Sequence, residues 1–323
     1  MRILVYGWYH QGNLGDDFFM EAYKYLFPDY DFVFVERLNS SQLENVDAVF
    51  FGGGSFLLGK PTITDEALKV LRSKKIFYLG IGVEAEIHPI HLELMKDARL
   101  IATRSPEQVD KLKIFNKNVL AIPDLIYSLQ SKVQLTPKSG RSVLMMPNIS
   151  VVPKRDDPHW KHVAWTYFKS EFSQFMDWLI HQGYQPHLFS MCQGLEVDDN
   201  WVSAELVSYM THRSQHHIIS NDNRPSSLED MTKLVSKHDV LITQRFHGIV
   251  LAEMTRTPYV AIHHHDKLKF SSPGDGVFIS YYNSSKLSFI NAFEKALKMN
   301  FANTLPIESS IFEAFSERVT NLI

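Results

Sequence analysis

Short apolar runs alternate with longer segments of helical period along nearly the whole chain, and that alternation leaves few architectures open. Strands buried on both faces read as near-continuous hydrophobic stretches and belong to parallel sheets covered by helices. In the first half, strands are expected at Ile3–Tyr6, Phe32–Glu36, Ala48–Phe51, Ile76–Ile81, Leu100–Thr103 and Val119–Ile122. Helical spacing marks Asp16–Leu26, Thr64–Arg72, Ile90–Lys96 and Glu107–Phe115, several of which start after Asp, Thr or Pro, as helix N-termini prefer. The second half repeats the pattern, with strands at Ser142–Met146, Pro186–Ser190, Ile218–Ser220, Val240–Thr243 and Tyr259–Ile262. Its helices are expected at Trp165–His181, Val202–His212, Ser227–Ser236 and Gly248–Arg256, with Phe289–Met299 and Ser310–Val319 closing the chain.

At 323 residues the chain exceeds one ordinary compact domain. Gln130–Arg141 mixes Ser, Lys, Gln, Thr, Pro and Gly without apolar periodicity, so the division is expected there. The expected layout is a Rossmann-like domain over 1–135, a second over 141–285 and closing helices over 286–323. One distant echo links the halves: Asp47–Phe51 runs into Gly52-Gly53-Gly54, and Asp239–Thr243 runs into Gln244-Arg245. Ligands of open parallel sheets bind beyond the carboxyl ends of the strands. Two such sheets facing a cleft would give an α/β layout similar to GT-B glycosyltransferases.

Composition removes several function classes. A net charge of −3 argues against nucleic-acid binding on a broad basic surface. Cys192 is the only cysteine, which excludes an intramolecular disulfide and metal sites built on several thiolates. The N-terminal run reaches glycine at Gly7 and reads as a buried strand, not a secretory signal. No apolar stretch approaches the roughly 18 residues needed to span a bilayer. A cytoplasmic protein is expected, any membrane contact being peripheral or through a partner.

The sharpest local signal is Thr243-Gln244-Arg245-Phe246-His247-Gly248, between a strand and a helix expected to begin near Gly248. If Arg245–His247 is extended, Arg245 and His247 share one side and Phe246 takes the other. Both would then lie by a helix N-terminus, where free N–H groups favour an anion, with a guanidinium adding a bidentate grip. The structural alternative is Arg245 paired with a core carboxylate and His247 capping the helix.

His263-His264-His265 alternate in direction and cannot all face one ion, so no metal site is expected; Lys267 beyond them could reach a phosphate. Gly12-Asn13-Leu14-Gly15-Asp16-Asp17 lacks the dinucleotide fingerprint, and its aspartates suit sugar hydroxyls or a helix cap. Gly52-Gly53-Gly54 offers backbone donors or close packing. Arg104 can face a ligand or pair with Glu107, and Asp124 can accept a proton or cap a turn.

Taken in order, Gly12-Asn13-x-Gly15-Asp16, Gly52-Gly53-Gly54, Arg104-Ser105-x-Glu107, Pro123-Asp124, Arg245-Phe246-His247 and Pro258 to Lys267 resemble the polysaccharide pyruvyl transferase family. The resemblance implies a GT-B-like fold and transfer of pyruvate from phosphoenolpyruvate to two sugar hydroxyls as a cyclic ketal, with phosphate released and no cofactor. It implies a donor site of Arg245, Phe246, His247, Arg104 and Lys267, with His247, Arg245 and Asp124 catalytic. Asn13, Asp16, Gly53 and Gly54 would serve the acceptor, a glycan, nucleotide-sugar or lipid-linked sugar. Asp17 stands where that family often has Glu, and Gly80-Ile81-Gly82 continues without the usual Pro. The rival readings are a GT-B nucleotide-sugar glycosyltransferase and a non-catalytic carbohydrate-binding relative.

Overall fold

Each apolar run named above overlaps a strand, and every strand pairing among the described residues is parallel. The computed structural model describes residues 1–54, 61–83, 87–148, 158–194, 198–215, 217–219, 223–263, 276–299 and 307–323. Its strands are β1 (Arg2–Tyr6), β2 (Asp31–Val35), β3 (Ala48–Gly54), β4 (Lys75–Ile81), β5 (Leu100–Thr103), β6 (Val119–Ala121), β7 (Ser142–Met146), β8 (Gln185–Leu188), β9 (His217–Ile218), β10 (Val240–Thr243), β11 (Tyr259–His263) and β12 (Val277–Ser280). The helices are α1 (Leu14–Leu26), α2 (Ser40–Leu43), α3 (Asp65–Leu71), α4 (Pro89–Lys96), α5 (Val109–Lys113), α6 (Pro158–His181), α7 (Asp199–Ser208), α8 (Leu228–Ser236), α9 (Phe246–Thr255), α10 (Lys286–Leu297) and α11 (Ser309–Leu322).

Contacts divide the chain into two compact units. Met1–His10, Asp16–Ser131 and Ile307–Ile323 form one; Gln11–Gly15 and Lys132–Pro306 form the other. Of the two closing helices, α11 therefore counts with the first unit and α10 with the second. The polar stretch after Ser131 is tied down along α8: Gln134 N–H donates to Thr232 Oγ1 at 3.3 Å, and Thr136 N–H to Ser236 Oγ at 2.9 Å.

The first sheet runs β2-β1-β3-β4-β5-β6 and the second β12-β11-β10-β7-β8-β9. In the first, the chain leaves β1 to one side for β2 and to the other for β3. In the second, it leaves β7 to one side for β8 and to the other for β10. Such reversals open a crevice beyond the strand ends.

The echo between the halves has a physical basis at these reversals. Asp47 accepts the Arg2 N–H through Oδ2 at 2.8 Å and donates its own N–H to Arg2 O at 2.9 Å. Asp239 does the same to Ser142, at 3.0 and 2.9 Å. In each unit, an aspartate just before the strand locks its register to the unit's first strand.

Aromatic packing dominates both cores. On the second unit's sheet, Phe168, Phe172 and Phe175 of α6 pack with Phe289 and Phe293 of α10, all buried, each contributing about 1.5–3 kcal/mol. In the first unit, Tyr23 of α1 packs with Phe32, Phe34 and Phe50. Neither β12 nor α2 is foreshadowed by the apolar pattern. The first is a four-residue strand at the sheet edge, mostly half-buried, and the second a single polar turn capped by Asn39, so neither carries an apolar period.

Candidate functional site

β10 delivers Thr243 to the end of the second sheet, where its hydroxyl shapes the turn into the next helix. Thr243 Oγ1 accepts the Arg245 N–H at 2.9 Å and donates to Arg245 O at 3.0 Å. That clasp leads the chain into α9 at Phe246, two residues before the expected start. The extended Arg245–His247 segment inferred from alternation is thus corrected: Arg245 is the extended cap residue, while Phe246 and His247 open the helix. Nor is α9 amphipathic, since all ten residues are buried. Gly248 permits this close seat, because a Cβ there would lie 2.3 Å from Thr243 Oγ1. His247 keeps 8% exposure.

Arg245 is held from the side by a carboxylate. Its Nε donates to Asp199 Oδ2 at 3.1 Å and its Nη2 to Asp199 Oδ1 at 2.5 Å. Asp199 is fully buried and also accepts the Cys192 N–H at 2.9 Å. Burial pushes its carboxyl above the usual range, while Arg245 and the Cys192 N–H pull the other way. A planar guanidinium gripped along one edge is fixed in orientation. Its Nη1 edge is directed away from that pair.

Gln11–Gly15 docks on this same unit. Leu14 N–H donates to Met191 O and Gln193 N–H to Gly12 O, both at 3.0 Å, around an antiparallel bridge between Asn13 and Cys192. Arg224 reinforces the same two carbonyls through Nη2, at 2.6 Å to Gly12 O and 3.1 Å to Met191 O, and reaches Gln193 Oε1 through Nη1. Gly12 has φ +73°, in the left-handed region that favours glycine. Asn13 Oδ1 accepts the Gly15 N–H at 3.2 Å, an Asx turn leading into α1. Gly15 then lies against His247: a Cβ there would sit 2.0 Å from Nδ1. Motifs from opposite ends of the sequence thus meet at one imidazole.

The remaining sequence candidates lie in the first unit. Arg104 pairs through Nη1 with Asp124 Oδ2 at 2.5 Å, with side-chain exposures of 2% and 0%. Its partner is Asp124, not Glu107. Asp124 Oδ1 accepts the Ile126 N–H at 3.1 Å, so the residue also caps the turn after Pro123. Both arginines expected to grip an anion are therefore neutralised by buried carboxylates. Asp16 is 8% exposed. A Cβ on Gly54 would meet its Oδ1 at 2.7 Å, and one on Gly53 would meet Phe19 and the Tyr9 hydroxyl at 2.9 Å. These glycines let α1 lie close on β3.

The sequence pattern described as Polysaccharide pyruvyl transferase matches residues 13–266. The chain belongs to the polysaccharide pyruvyl transferase family. Among curated proteins none matches it. The fold is also that of solved sugar enzymes. The Methanocaldococcus jannaschii UDP-GlcNAc 2-epimerase, solved with UDP-GlcNAc and UDP, aligns with a TM-score of 0.64 at 8% identity, covering 99% of this chain and 100% of that one. The Neisseria meningitidis UDP-GlcNAc 2-epimerase bound to UDP-GlcNAc gives 0.57 at 11%, covering 100% and 99%. S. aureus MnaA with UDP gives 0.59 at 10%, covering 98% and 91%. These likenesses show two GT-B-like Rossmann units.

Within this pyruvyl transferase fold, Lys267, His264 and His265 lie outside the described residues. Among the described residues, no group of three or more His, Cys, Asp or Glu could hold a metal ion, and no helix is long and apolar enough to cross a membrane. Trp165 is core, donating from Nε1 to Glu205 at 2.8 Å, whereas Trp201 is half exposed. Sequence reasoning misses Asp199 and Arg224. Asp199 falls ahead of the helix expected from Val202, and no local spacing links it to Arg245; Arg224 lies between Asn223 and Pro225, in a stretch with no apolar period.

Proposed function

We propose that this chain transfers pyruvate from phosphoenolpyruvate to two hydroxyls of a sugar, forming a cyclic ketal and releasing phosphate. The meeting of Gly15, His247 and the clamped Arg245 at the N-terminus of α9 carries the reading. A helix N-terminus and an oriented guanidinium suit a small dianion, and an imidazole one residue into the helix suits proton delivery.

In this reading His247 protonates the methylene carbon of the enol phosphate. A sugar hydroxyl attacks the cationic carbon so formed, phosphate leaves with its bridging oxygen, and the second hydroxyl closes the ketal. Two hydroxyl protons are released: one restores His247, the other goes to phosphate or a carboxylate. Of the two carboxylates considered, Asp16 keeps some exposure while Asp124 has none, which favours Asp16 as the acceptor-side base. Lys267 remains a proposed second donor contact. No cofactor enters the scheme.

The acceptor is a glycan, a nucleotide-sugar or a lipid-linked sugar. Incubation with phosphoenolpyruvate and a panel of such acceptors, read by mass spectrometry, tests the proposal. A pyruvylated product with phosphate release supports it. Turnover only of UDP- or GDP-sugars would support the glycosyltransferase reading, and sugar binding without turnover the non-catalytic one.

A further inference from the structure

The reversal between β7 and β10 is bridged by one side chain. Gln244 accepts the Asn148 N–H through Oε1 at 2.8 Å, and its own N–H donates to Met146 O at 3.0 Å. The two bonds tie the ends of both strands to one residue. They also orient the carboxamide: with its oxygen committed to Asn148, Nε2 is the end left to donate. Gln244 is 3% exposed, and Nε2 has no acceptor among the described residues.

A buried amide without an acceptor costs about 1–3 kcal/mol. The Asn148 N–H accounts for the oxygen end of the amide, whereas no described group accounts for the nitrogen end. Its position is where open parallel sheets take ligands, beyond the carboxyl ends of neighbouring strands at the point where the strand order reverses. Arg245 comes directly after it in the chain, and Arg245 is already neutralised by Asp199.

We propose that Gln244 Nε2 donates a hydrogen bond to an anionic oxygen, carboxylate or phosphoryl, of a ligand bound between the ends of β7 and β10. This deepens the reading above and rests on it in taking phosphoenolpyruvate as the ligand. A neutral donor adds direction to a site whose arginine charge is largely offset.

The experiment compares wild type, Gln244→Leu and Gln244→Glu by thermal unfolding and by titration with phosphoenolpyruvate and with inorganic phosphate. Gln244→Leu gives up the Asn148 bond together with the amide nitrogen, so its Tm is expected to fall modestly, and it should bind phosphoenolpyruvate about tenfold more weakly. Gln244→Glu, placing a carboxylate by the anion, should bind more weakly still. Weakening toward inorganic phosphate as well identifies the phosphoryl oxygen; unchanged phosphate affinity identifies the carboxylate. Unchanged phosphoenolpyruvate affinity in folded Gln244→Leu and Gln244→Glu would overturn the proposal. If wild type binds no phosphoenolpyruvate, the functional reading fails separately. The titration with inorganic phosphate then decides: weaker binding by Gln244→Leu than by wild type supports the donor, and unchanged or absent binding excludes it.

Discussion

Gly15 backs directly onto the imidazole of His247, so closely that a Cβ there would sit 2.0 Å from Nδ1. No side chain fits, and either the ring or the start of α1 would have to move. Overpacking of this kind costs about 1–3 kcal/mol, and a shift of about 1 Å in a reacting group can cost roughly 10²-fold in rate. Gly15→Ala is therefore expected to fold with a lowered Tm and to lose about 10²-fold in phosphate release. Wild-type kinetics in a folded Gly15→Ala protein would mean that the contact does not set the ring.

Asp199 and Arg245 form a buried pair, and removing one partner leaves the other charged and desolvated. Asp199→Ala should cost about 3–5 kcal/mol in urea unfolding. The double variant Asp199→Ala, Arg245→Met should recover part of that loss, since no unpaired charge remains. Strictly additive losses in the double-mutant cycle would show that the pair is not coupled.

Arg224 is expected to act as a positioning residue, holding Gly12 and Met191 so that Gly15 stays against His247. Arg224→Ala should speed carbethoxylation of His247 by diethyl pyrocarbonate, read by peptide mass spectrometry, because the docked segment that covers the ring is loosened. Added guanidinium should slow it again. An unchanged labelling rate would restrict Arg224 to a local structural role.

Acid should weaken the first unit through His91. Burial pushes its pKa from 6.5 down to about 4, with its Nδ1 3.2 Å from the Tyr78 hydroxyl. Between those values the unfolded chain binds a proton that the folded one refuses. Stability present above pH 6.5 is thus lost as pH falls toward 4, by about 3 kcal/mol. Burial lowers His238 of the second unit as well, which acts in the same sense there. Asp199, raised by burial, acts in the opposite sense, its folded form taking up a proton first. The urea midpoint of wild type should drop between pH 7 and 4.5 more than that of His91→Gln; parallel profiles would remove His91 as the cause.

The sheets are legible because parallel strands are apolar on both faces, so Leu100–Thr103, Ser142–Met146 and Val240–Thr243 carry their bounds in composition. Thr64 and Ser227 likewise advertise the helices they cap. The start of α9 escapes the pattern because the Thr243 hydroxyl, not apolar period, closes that turn. The motif residues are readable as residue types, but not their partners. Asp199 for Arg245, Asp124 for Arg104 and Arg224 for Gly12 are pairings across the fold, and nothing in local spacing encodes them.

In the proposed reaction His247, seated between Gly15 and the start of α9, delivers the proton that activates the donor. The decisive measurement is acceptor-dependent phosphate release from phosphoenolpyruvate by wild type and by His247→Ala, with circular dichroism confirming that both are folded. Wild type should release phosphate and yield a pyruvylated sugar, and the folded variant should do neither. Full turnover by His247→Ala would rule out that role for the imidazole.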